Sequence, residues 1–109
     1  MIPAFQKSYD FYKNLYVTLR QIPKRDRYAW GEHCENMALD LLKAVMLAEY
    51  APRPAKAGLL RSASNSVNQL KVFLRLGEEL RILDRRHALA RQTEMQEIGK
   101  MIGGWLANM

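Results

Sequence analysis

Apolar positions along the chain recur every three to four residues in four successive blocks. In the first, Phe5, Tyr9, Tyr12, Tyr16 and Leu19 follow helical spacing, with Phe11, Leu15 and Ile22 widening the stripe. This predicts an amphipathic helix that Pro23 ends. A second helix is predicted from Lys24 to Asp26 onward to about Tyr50. It faces inward through Trp30, Cys34, Met37, Leu41, Val45 and Ala48, helped by Ala38, Leu42 and Met46. The two prolines of APRPAKAG predict a loop over 51–55. A third helix, about Lys56 to Leu83, places Leu59, Leu60, Ala63, Val67, Leu70, Phe73, Leu74, Gly77 and Leu80 on one side. Arg61, Ser64, Asn68, Lys71 and Arg75 lie opposite. Asp84 is the expected N-cap of a fourth helix, whose seam is Ala88, Met95, Ile98, Ile102 and Trp105. No alternating strand pattern and no Asn-Gly or Asp-Gly turn interrupts this series. The expectation is an all-α fold: one domain over 1–109, an antiparallel up-down-up-down four-helix bundle.

Composition narrows the class. The chain has 109 residues, 49% of them hydrophobic and 26% charged, as in ordinary globular domains. The single cysteine, Cys34, excludes an intramolecular disulfide and suits a reducing cytoplasm. Asp40, Lys43 and Glu49 interrupt the most apolar run, ALDLLKAVMLAEYA, so no membrane span is expected, and MIPAFQKSYD lacks the layout of a signal peptide. A net charge of +6 favours acidic partners. The excess is concentrated after Pro52, where ten basic residues face five acidic ones; before that point seven face six.

Catalytic and metal chemistry finds little support. A di-iron bundle needs Glu-x-x-His on each of two helices, and the nearest match, Asp84-Arg85-Arg86-His87, occurs once and contains two arginines. His33 and Cys34 are adjacent, so on a helix they point about 100° apart; Cys34 reads as a core residue. Glu32 and Glu35 read as a charged surface. There is no P-loop, no GxSxG and no dinucleotide fingerprint. No metal and no cofactor is expected.

The basic residues are more informative. Arg61, Lys71, Arg75, Arg81, Arg85, Arg86 and Arg91 run along the third helix and around the turn into the fourth. Such a stripe can neutralise phosphates with affinity that falls steeply with salt; it equally suits a solvated face that keeps the protein soluble. Ser64, Asn65, Asn68 and Gln69 beside it suit phosphate contacts or a wet subunit interface.

The closing segment, EIGKMIGGWLANM, holds three glycines in a helical pattern, each costing about 1 kcal/mol relative to alanine. Gly99 and Gly103 stack on one face and would let a neighbouring helix approach, with Trp105 as an anchor. The alternative makes Gly103 or Gly104 a C-terminal cap; the role of Gly104 is open.

This ending resembles that of a family of small bacterial four-helix bundles. They are the accessory variability determinant, Avd, of diversity-generating retroelements, and relatives encoded in intervening sequences of large-subunit ribosomal RNA genes. IPKRDRYAWGEHCENMALDLLKAVMLAEYA and LKVFLRLGEELRIL extend the resemblance from Tyr9 to Trp105. It implies a non-enzymatic scaffold, assembled as a homopentameric barrel, that binds a reverse transcriptase and engages RNA or cDNA. Lys71 and Arg75 match the family's basic positions, whereas Glu78 and Glu79 depart from them and dilute the stripe. The alternative implied is an intervening-sequence-type bundle without a reverse transcriptase.

Overall fold

The computed structural model describes residues 3–109. Its elements are α1 (Pro3–Arg20), α2 (Lys24–Asp26), a π-helical turn (Arg27–Gly31), α3 (Glu32–Tyr50), α4 (Arg53–Glu79) and α5 (Arg85–Ala107). No strand occurs among the described residues, and no helix is long and apolar enough to cross a membrane. Helix α1 packs on α3 and α5, and α4 packs on the same two. The long helices therefore form a ring in the order α1, α3, α4, α5 around one core, in a body of 43 × 21 × 20 Å. Phe11, Leu15, Leu41, Val45, Leu60, Val67, Leu70, Leu74, Met95, Ile98 and Ile102 are fully buried within it.

Several boundaries differ from the sequence pattern, among them the end of the third helix, at Glu79 rather than Leu83. The loop expected over 51–55 shrinks, because α4 already begins at Arg53 with Pro54 in its first turn, where a missing N–H removes no helical bond. The second predicted helix is broken by the π turn, which brings Trp30 into the core. Helix α5 continues through Gly99, Gly103 and Gly104 to Ala107, so neither Gly103 nor Gly104 is the cap. Asp84 does cap α5: its carboxylate accepts from the His87 backbone N–H at 2.8 Å.

The first stripe is rotated from its expected position. Phe11, Leu15 and Leu19 are buried, whereas Tyr9 and Tyr16 remain 45% and 44% exposed. Buried Ala4 and Ser8 complete the inner face, so the core-facing row runs one position away from the tyrosines. Tyrosine and leucine score alike in an apolar pattern, and only the neighbouring helices decide which row goes inside.

The tightest glycine contact lies at Gly77. The Trp30 ring occupies the space above it, so a Cβ on Gly77 would stand 2.4 Å from Trp30 Cζ2. The Trp30 indole N–H donates to the Phe73 carbonyl at 2.8 Å, fixing the ring in that notch. Gly77 also accepts from the Ile82 and Leu83 N–H groups, which closes the end of α4 in a Schellman-type turn with Arg81 at φ 61°.

These glycines should respond oppositely to alanine. Gly77→Ala drives a methyl into a buried ring and should destabilise the protein by about 1–3 kcal/mol despite its helix propensity. Gly103→Ala meets nothing within 4 Å and should stabilise by about 0.5–1 kcal/mol. Thermal and urea denaturation of the two variants measures both signs.

Candidate nucleic-acid interface

Helices α4 and α5 lie side by side, and their outer seam carries most of the predicted basic residues. Register turns Leu60, Ala63, Val67, Leu70 and Leu74 inward, leaving Arg61, Asn68 and Arg75 exposed on the opposite face of α4. Arg61 and Arg75 are about 21 Å apart along the axis. Lys71 lies nearer α5, its Nζ 3.8 Å from where a Cβ on Gly99 would stand, and the Gln92 amide donates to its carbonyl at 2.9 Å. Arg61, Lys71 and Arg75 make no ion pair within 4 Å among the described residues.

The turn after α4 adds three exposed guanidiniums. Arg81 sits in the left-handed region at φ 61°, a conformation that costs a non-glycine residue roughly 1–2 kcal/mol. Arg85 and Arg86 occupy the first turn of α5, at the positive end of its dipole. Asp84 offsets part of that charge, accepting from the His87 backbone and lying 2.8 Å from His87 Nδ1. Arg85 is 3.3 Å from Glu78, so one of the two diluting acids is already paired, while Glu79 stays exposed beyond Arg75.

Arg91 does not belong to this face. It is only 12% exposed, pairs with Glu94 and donates to Thr18 Oγ1 at 3.2 Å, so it joins α5 to α1 inside the bundle. Sequence spacing placed it with its basic neighbours; the helical register turns it toward α1. The packing role expected of Gly103 also fails within one chain, since nothing approaches it, and Gly99 makes only ordinary contact, 3.5 Å from Val67 Cγ1. Trp105 instead sits at the end of the bundle, under Lys56 Nζ at 5.8 Å, lining an apolar recess of about 360 Å³ with Pro3, Ala4 and Met101. Lys100, exposed on α5 beside Gly99, extends the positive face.

A family model described as bAvd-like matches residues 4–109. The chain belongs to the bAvd-like family. No curated protein matches it. Avd-like proteins are in general non-catalytic accessory proteins, and the bAvd-like match agrees with the four-helix architecture.

Burial pushes the Cys34 thiol up to about 12, far from a reactive thiolate, and the residue is fully enclosed. His33 stands away from it, exposed, with its ring 6.1 Å from that of Phe73. Among the described residues, no three His, Cys, Asp or Glu side chains converge as metal ligands.

Asp84 makes the end of the positive face sensitive to acid. Hydrogen bonds from the His87 backbone, then from its ring, hold the Asp84 carboxyl below its ordinary value. Its stabilising contribution is therefore present above the unfolded value of about 3.9 and lost as pH falls through the lower folded one. Asp84→Ala should lower the melting temperature at pH 7, and the gap from wild type should close as the pH approaches 2. Melting curves across that range check both.

Proposed function

We propose that this bAvd-like chain is a non-enzymatic accessory protein of a diversity-generating retroelement. It works in the cytoplasm as a homo-oligomeric scaffold, most simply a pentameric barrel, and docks the element's reverse transcriptase. RNA or cDNA is held on the α4/α5 face during mutagenic copying. The supporting observation is the outward, unpaired set Arg61, Lys71, Arg75, Arg81 and Arg86, joined by Arg85. Copies arranged around an axis multiply such modest contacts into avidity.

The cost at the α4/α5 turn fits this reading. Glycine at position 81 would relax the backbone, and acidic residues at 85 and 86 would suit the helix dipole. Arginine at all three is understandable where an anion is to be bound.

Fluorescence anisotropy with labelled RNA, titrated with salt, tests the proposal. Lys71→Glu/Arg75→Glu should keep the fold and weaken binding more than tenfold. The dependence of log affinity on log salt should become shallower by about 0.7 for each lost phosphate contact. Arg91→Gln should instead lower the melting temperature and leave binding unchanged. Light scattering should give the mass of several copies; a reverse transcriptase gene is expected beside this one, and its product should co-purify. A monomer without salt-dependent binding would overturn the reading.

Arg81→Gly provides an independent measure. It should raise stability by about 1 kcal/mol, through relief of the left-handed conformation, while weakening RNA binding. Urea denaturation paired with the anisotropy assay reads both changes.

A further inference from the structure

The α1/α3 seam lies across the bundle from the α4/α5 face, and it carries the tyrosines that packing left outside. Tyr9, Tyr16 and Tyr28 are 45%, 44% and 62% exposed. Each has a cation over its ring: Lys13 at 5.3 Å, Arg20 at 5.5 Å and Lys24 at 5.9 Å. Cation–π pairs occur roughly once in 70–80 residues, so three between positions 9 and 28 are a concentration that core packing does not require. Two of the rings also have an aromatic neighbour, Phe5 stacked on Tyr9 at 6.0 Å and Tyr12 tilted against Tyr16 at 6.5 Å.

Three recesses adjoin these rings. One of about 390 Å³ lies on the outer face of α1, between Tyr12, Lys13, Tyr16 and Val17. The next, about 210 Å³, shares Tyr16 and adds Arg20, Arg27 and Glu35; the third, about 350 Å³, shares Arg27 and Glu35 and reaches Tyr28 and Leu39. The second and third form one groove along the seam, which the first adjoins at Tyr16; Tyr9 and Lys24 flank these recesses without lining them. Where the second and third meet, Arg27 donates through Nη2 to the Arg20 and Ile22 carbonyls, while its buried Nε has no acceptor among the described residues.

We infer that the α1/α3 groove is a second binding site, for single-stranded nucleic acid with unpaired bases. It rests on the proposed nucleic-acid role for the class of ligand, and on the groove alone for the surface. Tyr9 and Tyr16 are about 10 Å apart along α1, the length of about three stacked nucleotides. Bases lie against the rings and displace the cations onto the phosphates, the combination that binds single strands without reading sequence. Duplex is disfavoured because its bases are already stacked on one another. A protein partner is the weaker fit, since protein interfaces are depleted in lysine and two of the three cations are Lys13 and Lys24. Two acids also line the groove, Glu32 and Glu35, the latter accepting from the Tyr12 hydroxyl at 3.2 Å, while Asp10, outside the recesses, accepts from the Gln6 amide at 2.9 Å.

Binding of the full chain is measured to three labelled probes of about 20 nucleotides, long enough to span the groove: oligouridylate, an RNA duplex, and an abasic strand. The wild type should bind oligouridylate at least tenfold more tightly than the abasic strand. Tyr9→Leu/Tyr16→Leu/Tyr28→Leu keeps apolar bulk but removes the π faces. It should erase that preference while leaving the salt slope unchanged, and the matching phenylalanine set should restore the preference. Tyr28→Leu alone, at the most exposed ring, should reduce the preference in the same direction if the triple variant is poorly folded by circular dichroism.

Unchanged oligouridylate binding by the leucine variants, or equal binding of the abasic strand, would overturn the inference. So would a fall in assembly mass on light scattering in the leucine set, which makes the seam an interface between copies. If Lys71→Glu/Arg75→Glu abolishes all binding and the leucine set changes nothing, the groove proposal falls and the α4/α5 reading stands. The converse pattern removes the α4/α5 reading alone. A wild type that binds none of the probes removes both.

Discussion

The Trp30 ring seated over Gly77 is the contact on which the rest of the arrangement depends. A side chain at position 77 would occupy the space of that ring, so α3 and α4 take their separation from an absent methyl. The indole N–H, bonded to the Phe73 carbonyl, sets the ring's depth and angle. The same glycine accepts two N–H groups from the chain leaving α4, so its position also determines where the turn to α5 begins. One residue thus couples the α3–α4 packing to the segment presenting Arg81, Arg85 and Arg86. The π turn that delivers Trp30 serves the same contact, which accounts for a helical irregularity at that point in the chain.

Charge on the two sides of the bundle is arranged differently. On the α4/α5 seam the cations stand in the open, several of them where local backbone or dipole energetics oppose them, so their retention makes most sense through what they bind. On the α1/α3 seam the cations rest on aromatic rings, which keeps them ordered and close to apolar surface. The first arrangement suits phosphates of any nucleic acid, the second a strand whose bases are free. A polymer passing from one seam to the other would meet both without any moving part in the protein. Interior positions contribute no chemistry to either: Cys34 is a packed thiol and Arg91 an internal tie between α5 and α1.

Much of the architecture was legible in the sequence because helix formation and apolar periodicity are local. The helical series, the Asp84 cap, the buried Cys34 and most core positions of α3, α4 and α5 follow from residue type and spacing alone; Met46 and Leu80, which the spacing turns inward, are 43% and 59% exposed. The family resemblance in the closing segment was legible for the same reason, being a short run of particular residues. The length of the loop before α4 was misjudged because proline is as welcome in a helix's first turn as in a loop, and the residue type does not distinguish them.

What the sequence alone determined, then, was the number and kind of helices and the positive excess in the second half of the chain. Only the tertiary structure decided which of two adjoining rows of α1 entered the core, that Arg91 faces inward, and that Gly77 rather than Gly103 marks the close approach within the chain. The reason is physical: a helix of given periodicity can rotate by one row at little local cost. Its orientation, and the fate of every borderline tyrosine, arginine and glycine on it, is chosen by the volume and shape of the neighbouring helices.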